Sequence, residues 1–236
     1  IHLDKVINNK KIIKILKKKK ISSIPLTKNK KVIKEIFLDD LLKKPSHKNT
    51  KKLDVIIMAG GYGKRLLPVT KNTPKCLIKI NKKNRIIDFL ISNLMKYNLN
   101  TVHFITHFQG TKIKNYITKK YKSKLNLYFH KEKIPTGTAG GLKKLYKKNS
   151  LSENFILINS DVISEIDFSS LVNFYNNNKS LFTIVTKLIR QKLSFGSIKS
   201  RSELLYNIEE KPTISYFVNT GIYVFSKKFL RLIPSQ

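Results

Sequence analysis

The chain has 236 residues, and its 41% hydrophobic content is enough to bury a core and too much for a wholly disordered chain. A single cysteine excludes an internal disulfide framework and fits a reducing, cytoplasmic setting. The 48 basic and 14 acidic residues give a net charge of +34, and no apolar run reaches the ~18 residues of a membrane span. In chain order, Asn9 to Lys20 carries Ile12, Ile13, Ile15 and Leu16 at helical spacing. Ile21 to Leu26 predicts a short strand, Thr27 to Lys30 a polar turn and Val32 to Phe37 a second strand. Leu38 to Leu42 opens a short helix with Asp39 and Asp40 in its first turn, where the helix dipole favours them. Residues 1–45 therefore form a small αββα unit. A polar, Pro45-containing stretch follows, with a linker over 46–52.

From Leu53 the pattern changes to short apolar strands alternating with helix-period segments. Strands are predicted at Val55–Met58, Thr101–Thr106, Leu125–His130, Phe155–Asn159 and Leu181–Thr186. Helices are predicted at Ile86–Tyr97, Lys112–Lys120, Gly140–Lys148 and Phe168–Asn176. Strand-rich sequence follows at Gly196–Lys199, Leu204–Glu209 and Tyr216–Phe225. This alternation predicts an α/β domain over 53–236, with a mostly parallel sheet and helices on both faces.

The charge does not by itself mark a nucleic-acid binder. Five of the basic residues are Arg and 43 are Lys, spread from end to end among Asn and Ile. Readers of phosphates and bases favour Arg, whose planar fork binds bidentately. We read the excess as a compositional background on a solvated surface, with no specific nucleic-acid partner and no membrane. Because acids are scarce, each Asp or Glu inside a motif is the more informative.

The predicted strand Val55–Met58 runs into Ala59-Gly60-Gly61-Tyr62-Gly63-Lys64-Arg65-Leu66-Leu67-Pro68. A glycine-rich turn after a strand lets backbone N–H groups approach phosphates, and Lys64 and Arg65 add positive charge. The dinucleotide fingerprint fails at Leu66, and a P-loop fails because Arg65 stands where a hydroxyl is needed. Taken alone, the segment is either a phosphate cradle or a plain tight turn. Ten residues on comes a second basic element, Thr73-Pro74-Lys75-Cys76-Leu77.

Together, these two segments resemble the signature of the sugar-phosphate nucleotidylyltransferases, with Lys64 where that family has Thr or Ser. The resemblance implies a Rossmann-like, doubly wound fold. It also implies that Met58, Ala59, Gly60, Gly61, Gly63 and Lys64 hold the base and phosphates of a nucleoside triphosphate. Arg65 would neutralise the departing pyrophosphate, and Lys75 would bridge the α-phosphate and the sugar phosphate. The segment from Glu132 to Gly141 resembles the family loop that contacts nucleobase and sugar, in the form of its mannose-1-phosphate guanylyltransferase branch. It assigns Glu132, Pro135, Gly137 and Thr138 to the nucleotide and Gly140 to the sugar. Phe155 to Asp161 places a lone acid past a buried strand, and the resemblance makes Asp161 the Mg²⁺ ligand. Gly196, then Glu210 and Lys211 in Glu209-Glu210-Lys211-Pro212, and Asn219 match sugar-side motifs. His103 and His107 lie in a strand-like segment and form no zinc site, and Cys76 reads as a packing residue.

The N-terminal unit resembles the second half of a CBS domain, through the Ile24-Pro25 step, the hairpin and the Asp39-Asp40-Leu41-Leu42 ending. An adenosine-type effector there, and a homo-oligomer, are compatible with that resemblance. The expected partners are GTP, favoured among the nucleoside triphosphates, and a sugar 1-phosphate, giving a nucleotide sugar for surface glycans. The resemblance also implies a catalytic domain longer than the stretch ending at Gln236. Two further readings stay open at this stage: a nucleotide-binding regulatory fragment, and a sister enzyme using another base.

Overall fold

The computed structural model describes residues 12, 14–16, 18, 21, 23–28, 31–37, 53–134, 137–147 and 151–232. The chain divides into two compact units, Ile1–His47 and Lys48–Gln236. In the first, residues 12, 14–16 and 18 are helical, with Ile12 and Leu16 buried one turn apart on one face. Strands β1 (Ser23–Lys28) and β2 (Lys31–Phe37) form an antiparallel hairpin with a bulge between Leu26 and Thr27. The hairpin thus reaches past the expected end at Leu26, because Thr27 and Lys28 pair with Val32 and Lys31. The expected helix over 38–42 and the linker over 46–52 lie outside the described residues.

The second unit is built on a six-stranded sheet. Its strands are β3 (Asp54–Ala59), β4 (Thr101–Thr106), β5 (Asn126–Lys131), β6 (Asn154–Asn159), β7 (Phe182–Lys192) and β10 (Thr213–Ser226). They lie in the order β5-β4-β3-β6-β10-β7. β3 pairs in parallel with β4 and β6, and β4 with β5; β10 alone is reversed, antiparallel to both β6 and β7. The expected mixed α/β architecture with a mostly parallel sheet is present.

The sheet is covered on both faces, which is why its central strands read as unbroken apolar runs. On one face, Val55, Ile57, Val102, Phe104, Ile156 and Ile158 meet helices α1 (Ile86–Lys96), α2 (Gly110–Tyr121) and α4 (Phe168–Asn177). On the other, Ile56, Ile105, Phe155 and Leu157 meet Leu142 and Leu145 of α3 (Gly137–Lys147) and Leu230. Burying each such side chain contributes about 1.5–3 kcal/mol. No helix among the described residues is long and apolar enough to cross a membrane.

Several boundaries differ from expectation, most at α3 and in β7 and β10. α3 starts at Gly137, three residues early, because the Gly-Thr-Ala segment forms its first turn. β7 and β10 both outrun the central sheet and pair with each other as far as Thr213↔Lys192. Beside this arm, β8 (Ser197–Arg201) and β9 (Leu204–Glu209) form a separate two-stranded ribbon. A register shift between Asn219 and Tyr223 divides the arm from the core part of β10. Gly221 sits in that shift with φ +76°, and an added Cβ would fall 2.5 Å from Asn159 Nδ2, so both conformation and space demand glycine.

Candidate functional site

In parallel sheets, ligands gather at the carboxyl ends of the strands, where the loops leave in a common direction. Here the ends of β3 and β6, with Glu132 just past β5, border a cleft of about 340 Å³. Its wall is the loop Met58–Gly63, the turn Pro74–Cys76, Glu132 and the strand end Asn159–Asp161. The ladder continues one residue past β6, where Ser160 N–H donates to Met58 O at 3.1 Å, and Asp161 then leaves the sheet.

Backbone geometry shapes the loop. Gly63 has φ +66°, and a Cβ there would lie 2.9 Å from Thr70 Cγ2. Thr70 is buried and its hydroxyl donates to Gly63 O at 2.9 Å, locking the turn that leads into the 3₁₀ segment Lys64–Leu66. Gly61, by contrast, faces open space, with nothing within 4 Å of where its Cβ would stand.

Two of the charges in the cleft are paired with each other. Lys75 Nζ donates to Asp161 Oδ2, and each side chain is 33% exposed. This joins two segments 86 residues apart in sequence. Glu132 is buried, and its N–H donates to Thr106 O at 2.8 Å. Its carboxylate lies between two glycines: Oε2 is 3.6 Å from the Cβ position of Gly60 and Oε1 is 3.2 Å from that of Gly141. Cys76 is buried, its thiol pushed up to about 12 by burial against an opposing hydrogen bond from Ser160, as expected of a packing residue.

A neighbouring pocket of about 660 Å³ shares Asn159 and Asp161 and adds Asn219 and Gly221. Asp161 thus stands at the junction of the two. Asn219 is turned onto its own strand: its amide donates to Tyr223 Oη at 2.7 Å and its oxygen accepts from Gly221 N–H at 2.9 Å.

Of the residues singled out from sequence, Met58, Ala59, Gly60, Gly61, Gly63, Lys75, Glu132 and Asp161 share the first cleft, and Asn219 lines the second. Lys64 and Arg65 are exposed on the 3₁₀ turn, outside both linings. Gly196, Glu210 and Lys211 meet one another at the ribbon, where Glu210 Oε2 is 3.1 Å from the Cβ position of Gly196 and Lys211 Nζ is 3.8 Å from Glu210 Oε1. They too are exposed and outside the two linings. Gly137 and Thr138 form the start of α3, Gly140 is half-buried within it, and Pro135 lies outside the described residues. Sequence reasoning gave Tyr62, Pro74, Asn159 and Ser160 no role of their own, although each lies within or beside a motif and lines the cleft.

The comparisons with known proteins bear on the same stretch. A family model described as nucleotidyl transferase matches residues 54–235. The chain belongs to the nucleotidyl transferase family. Among curated proteins similar to it, the mannose-1-phosphate guanylyltransferase catalytic subunit beta of Dictyostelium discoideum is 28% identical, over 78% of this chain and 52% of that protein. The UTP–glucose-1-phosphate uridylyltransferase of Synechocystis is 26% identical, over 78% of this chain and 51% of that protein. The chain therefore spans about half the length of the curated relatives it matches. The crystal structure of HddC from Yersinia pseudotuberculosis matches with a TM-score of 0.61 at 25% identity, covering 78% of this chain and 80% of that one.

Proposed function

We propose that this chain transfers a nucleotidyl group from a nucleoside triphosphate, GTP before the others, to a sugar 1-phosphate, giving a nucleotide sugar and pyrophosphate for glycan synthesis. The observation that carries this is the meeting of Lys75 and Asp161 at the wall of a glycine-lined cleft, where β3 and β6 end. The sugar phosphate oxygen attacks the α-phosphorus in line and pyrophosphate leaves, with no covalent enzyme intermediate. Little covalent work then falls to the protein, and catalysis is positioning plus charge neutralisation. The open backbone at Gly61 lets the triphosphate approach, and Lys75 neutralises the α-phosphate and the incoming sugar phosphate. Arg65, exposed one turn away, meets the pyrophosphate end.

Mg²⁺ fits this site as a shared ligand of protein and substrate. No cluster of three or more His, Cys, Asp or Glu among the described residues holds a metal unaided. Asp161 offers a part-exposed hard oxygen that already carries a cation, Lys75, and Mg²⁺ is commonly held by one or two carboxylates plus substrate phosphates and water. When bound, it would neutralise developing phosphate charge.

Glu132 supports guanine. A carboxylate accepts two hydrogen bonds side by side, and of the four common bases only guanine presents two adjacent donors on its pairing edge. Uracil has a single donor between two carbonyls, which a carboxylate repels. Mannose 1-phosphate is the first sugar to try, because guanylyltransferases of that sugar are among the relatives. The N-terminal helix and hairpin are consistent with half of a CBS pair, and an adenosine-type effector remains part of that proposal.

The test crosses four nucleoside triphosphates with mannose, glucose and glucosamine 1-phosphates and follows pyrophosphate release. GTP with mannose 1-phosphate is expected to react fastest. In Glu132→Gln, the preference for GTP over UTP is expected to fall by about 10- to 100-fold, the scale of one bidentate contact. Nucleotide binding without product from any pair would replace the enzyme with a binding fragment.

A further inference from the structure

A hydrogen-bonded chain that the reaction does not use ties the two sides of the cleft together. Tyr62 stands between Gly61 and Gly63, and its hydroxyl is 3.0 Å from His107 Nε2. His107 Nδ1 is 3.0 Å from the main-chain carbonyl oxygen of Glu132. A carbonyl only accepts, so Nδ1 carries the proton; in the neutral ring Nε2 then offers its lone pair and the Tyr62 hydroxyl donates. In that tautomer the chain of donors runs from Tyr62 to His107 to Glu132. Ring contacts hold the same group, with His107 edge-on to Tyr62 at 5.6 Å and Phe108 at 5.2 Å from it. The main chain ties in as well. Phe108 N–H donates to Gly60 O at 3.4 Å, and His107 Cβ is 3.3 Å from the Cβ position of Gly60. Tyr62 and Glu132 line the cleft, whereas His107 does not. Tyr62 nevertheless leaves 44% of its surface exposed, so the chain holds an open aromatic wall rather than filling a core.

We propose that His107, as the neutral Nδ1–H tautomer, is a positioning residue that sets the spacing between the glycine loop and the loop that reads the base, and so preorganises the site for nucleotide. The proposal rests on the nucleotidyl-transfer reading above. Preorganisation improves ground-state and transition-state binding together, so its loss appears in the nucleotide KM and not in kcat.

Three variants of the full chain test this: Tyr62→Phe, His107→Asn, which keeps a donor near Nδ1 but has no acceptor at Nε2, and the double variant. Each is expected to raise the GTP KM, and the Kd for Mg-GTP measured by titration, by about three- to tenfold with kcat nearly constant. The double variant is expected to be no worse than either single one, because all three break the same link. Additive effects, an unchanged KM, or a loss confined to kcat would overturn the proposal. Nitrogen NMR of the five His rings gives a second readout that needs no turnover. At neutral pH the resonances lost in His107→Asn are expected to show a protonated Nδ1 and a bare Nε2, and the opposite tautomer overturns the tie. Should the wild type bind Mg-GTP but make no nucleotide sugar, the tautomer and the shared loss of affinity would still stand, and only the reaction assignment would fail.

Discussion

At the scale of single residues, Asp88 is a buried hub between two helices. It is buried on α1 and accepts from Arg85 N–H at 2.7 Å, the Tyr116 and Tyr121 hydroxyls at 2.7 Å and Lys120 Nζ at 2.9 Å. The last three donors belong to α2, so one carboxylate joins two helices. Burial alone would raise its pKa, but the Arg85 N–H, Lys120 and the two tyrosines together hold it below the ordinary 3.8. Burial, then the bond to Asp88, pushes the Tyr121 hydroxyl up. The folded pKa of Asp88 is below the unfolded one, so its stabilisation is complete above 3.8 and fades as pH falls below that value. Asp88→Asn leaves one acceptor oxygen where there were two. It is expected to destabilise by about 2–4 kcal/mol in urea unfolding near neutral pH. A loss under about 0.5 kcal/mol would show that the hub is solvated in solution. Nothing local in the sequence marks Asp88 as a link between helices, because its partners on α2 lie 28–33 residues away.

At the scale of elements, β4 shows what periodicity can and cannot reveal. Val102 and Phe104 face α1 and α2, while His103 and Ile105 face the other side, as a strand's alternation requires. The strand was legible because that pattern is local. What His103 does there was not, since its neighbours come from other strands. Its ring stacks on Tyr128 at 4.7 Å, Nδ1 pairs with His130 Nε2 at 3.1 Å, and Nε2 lies 3.9 Å from Asp54 Oδ2. Burial lowers the His103 pKa, with Asp54 opposing. The unfolded chain then takes up the proton more readily, so stability is lost as pH falls below the ordinary 6.5. Urea midpoints at about pH 7.5 and about pH 5 should fall less steeply for His103→Gln than for the wild type, and equal falls would remove His103 as the cause. The same split between local and distant explains the boundary errors. The length of the β7–β10 arm depends on pairing across residues 192 and 213, which no single segment records.

At the scale of the whole molecule, the cleft exists because parallel strands deliver distant loops to one edge. The family resemblance of the motifs singled out Lys75, Glu132, Asp161 and the glycine loop, and the fold brings them to one cleft. It did not find Tyr62 and His107 as partners, because their contact depends on how the loops after β3 and β4 pack. Nor did spacing show that Arg65, Glu210 and Lys211 lie outside the two pocket linings. The assembly of Lys75 with Asp161 is therefore the feature on which the proposed function turns. Its most direct test is pyrophosphate release from Mg-GTP and mannose 1-phosphate by Lys75→Ala and Asp161→Asn, with melting curves to confirm folding. Each variant is predicted to lose on the order of 10²–10³ in rate while remaining folded. Near-full release by both folded variants would contradict the assignment of this cleft as the site of transfer.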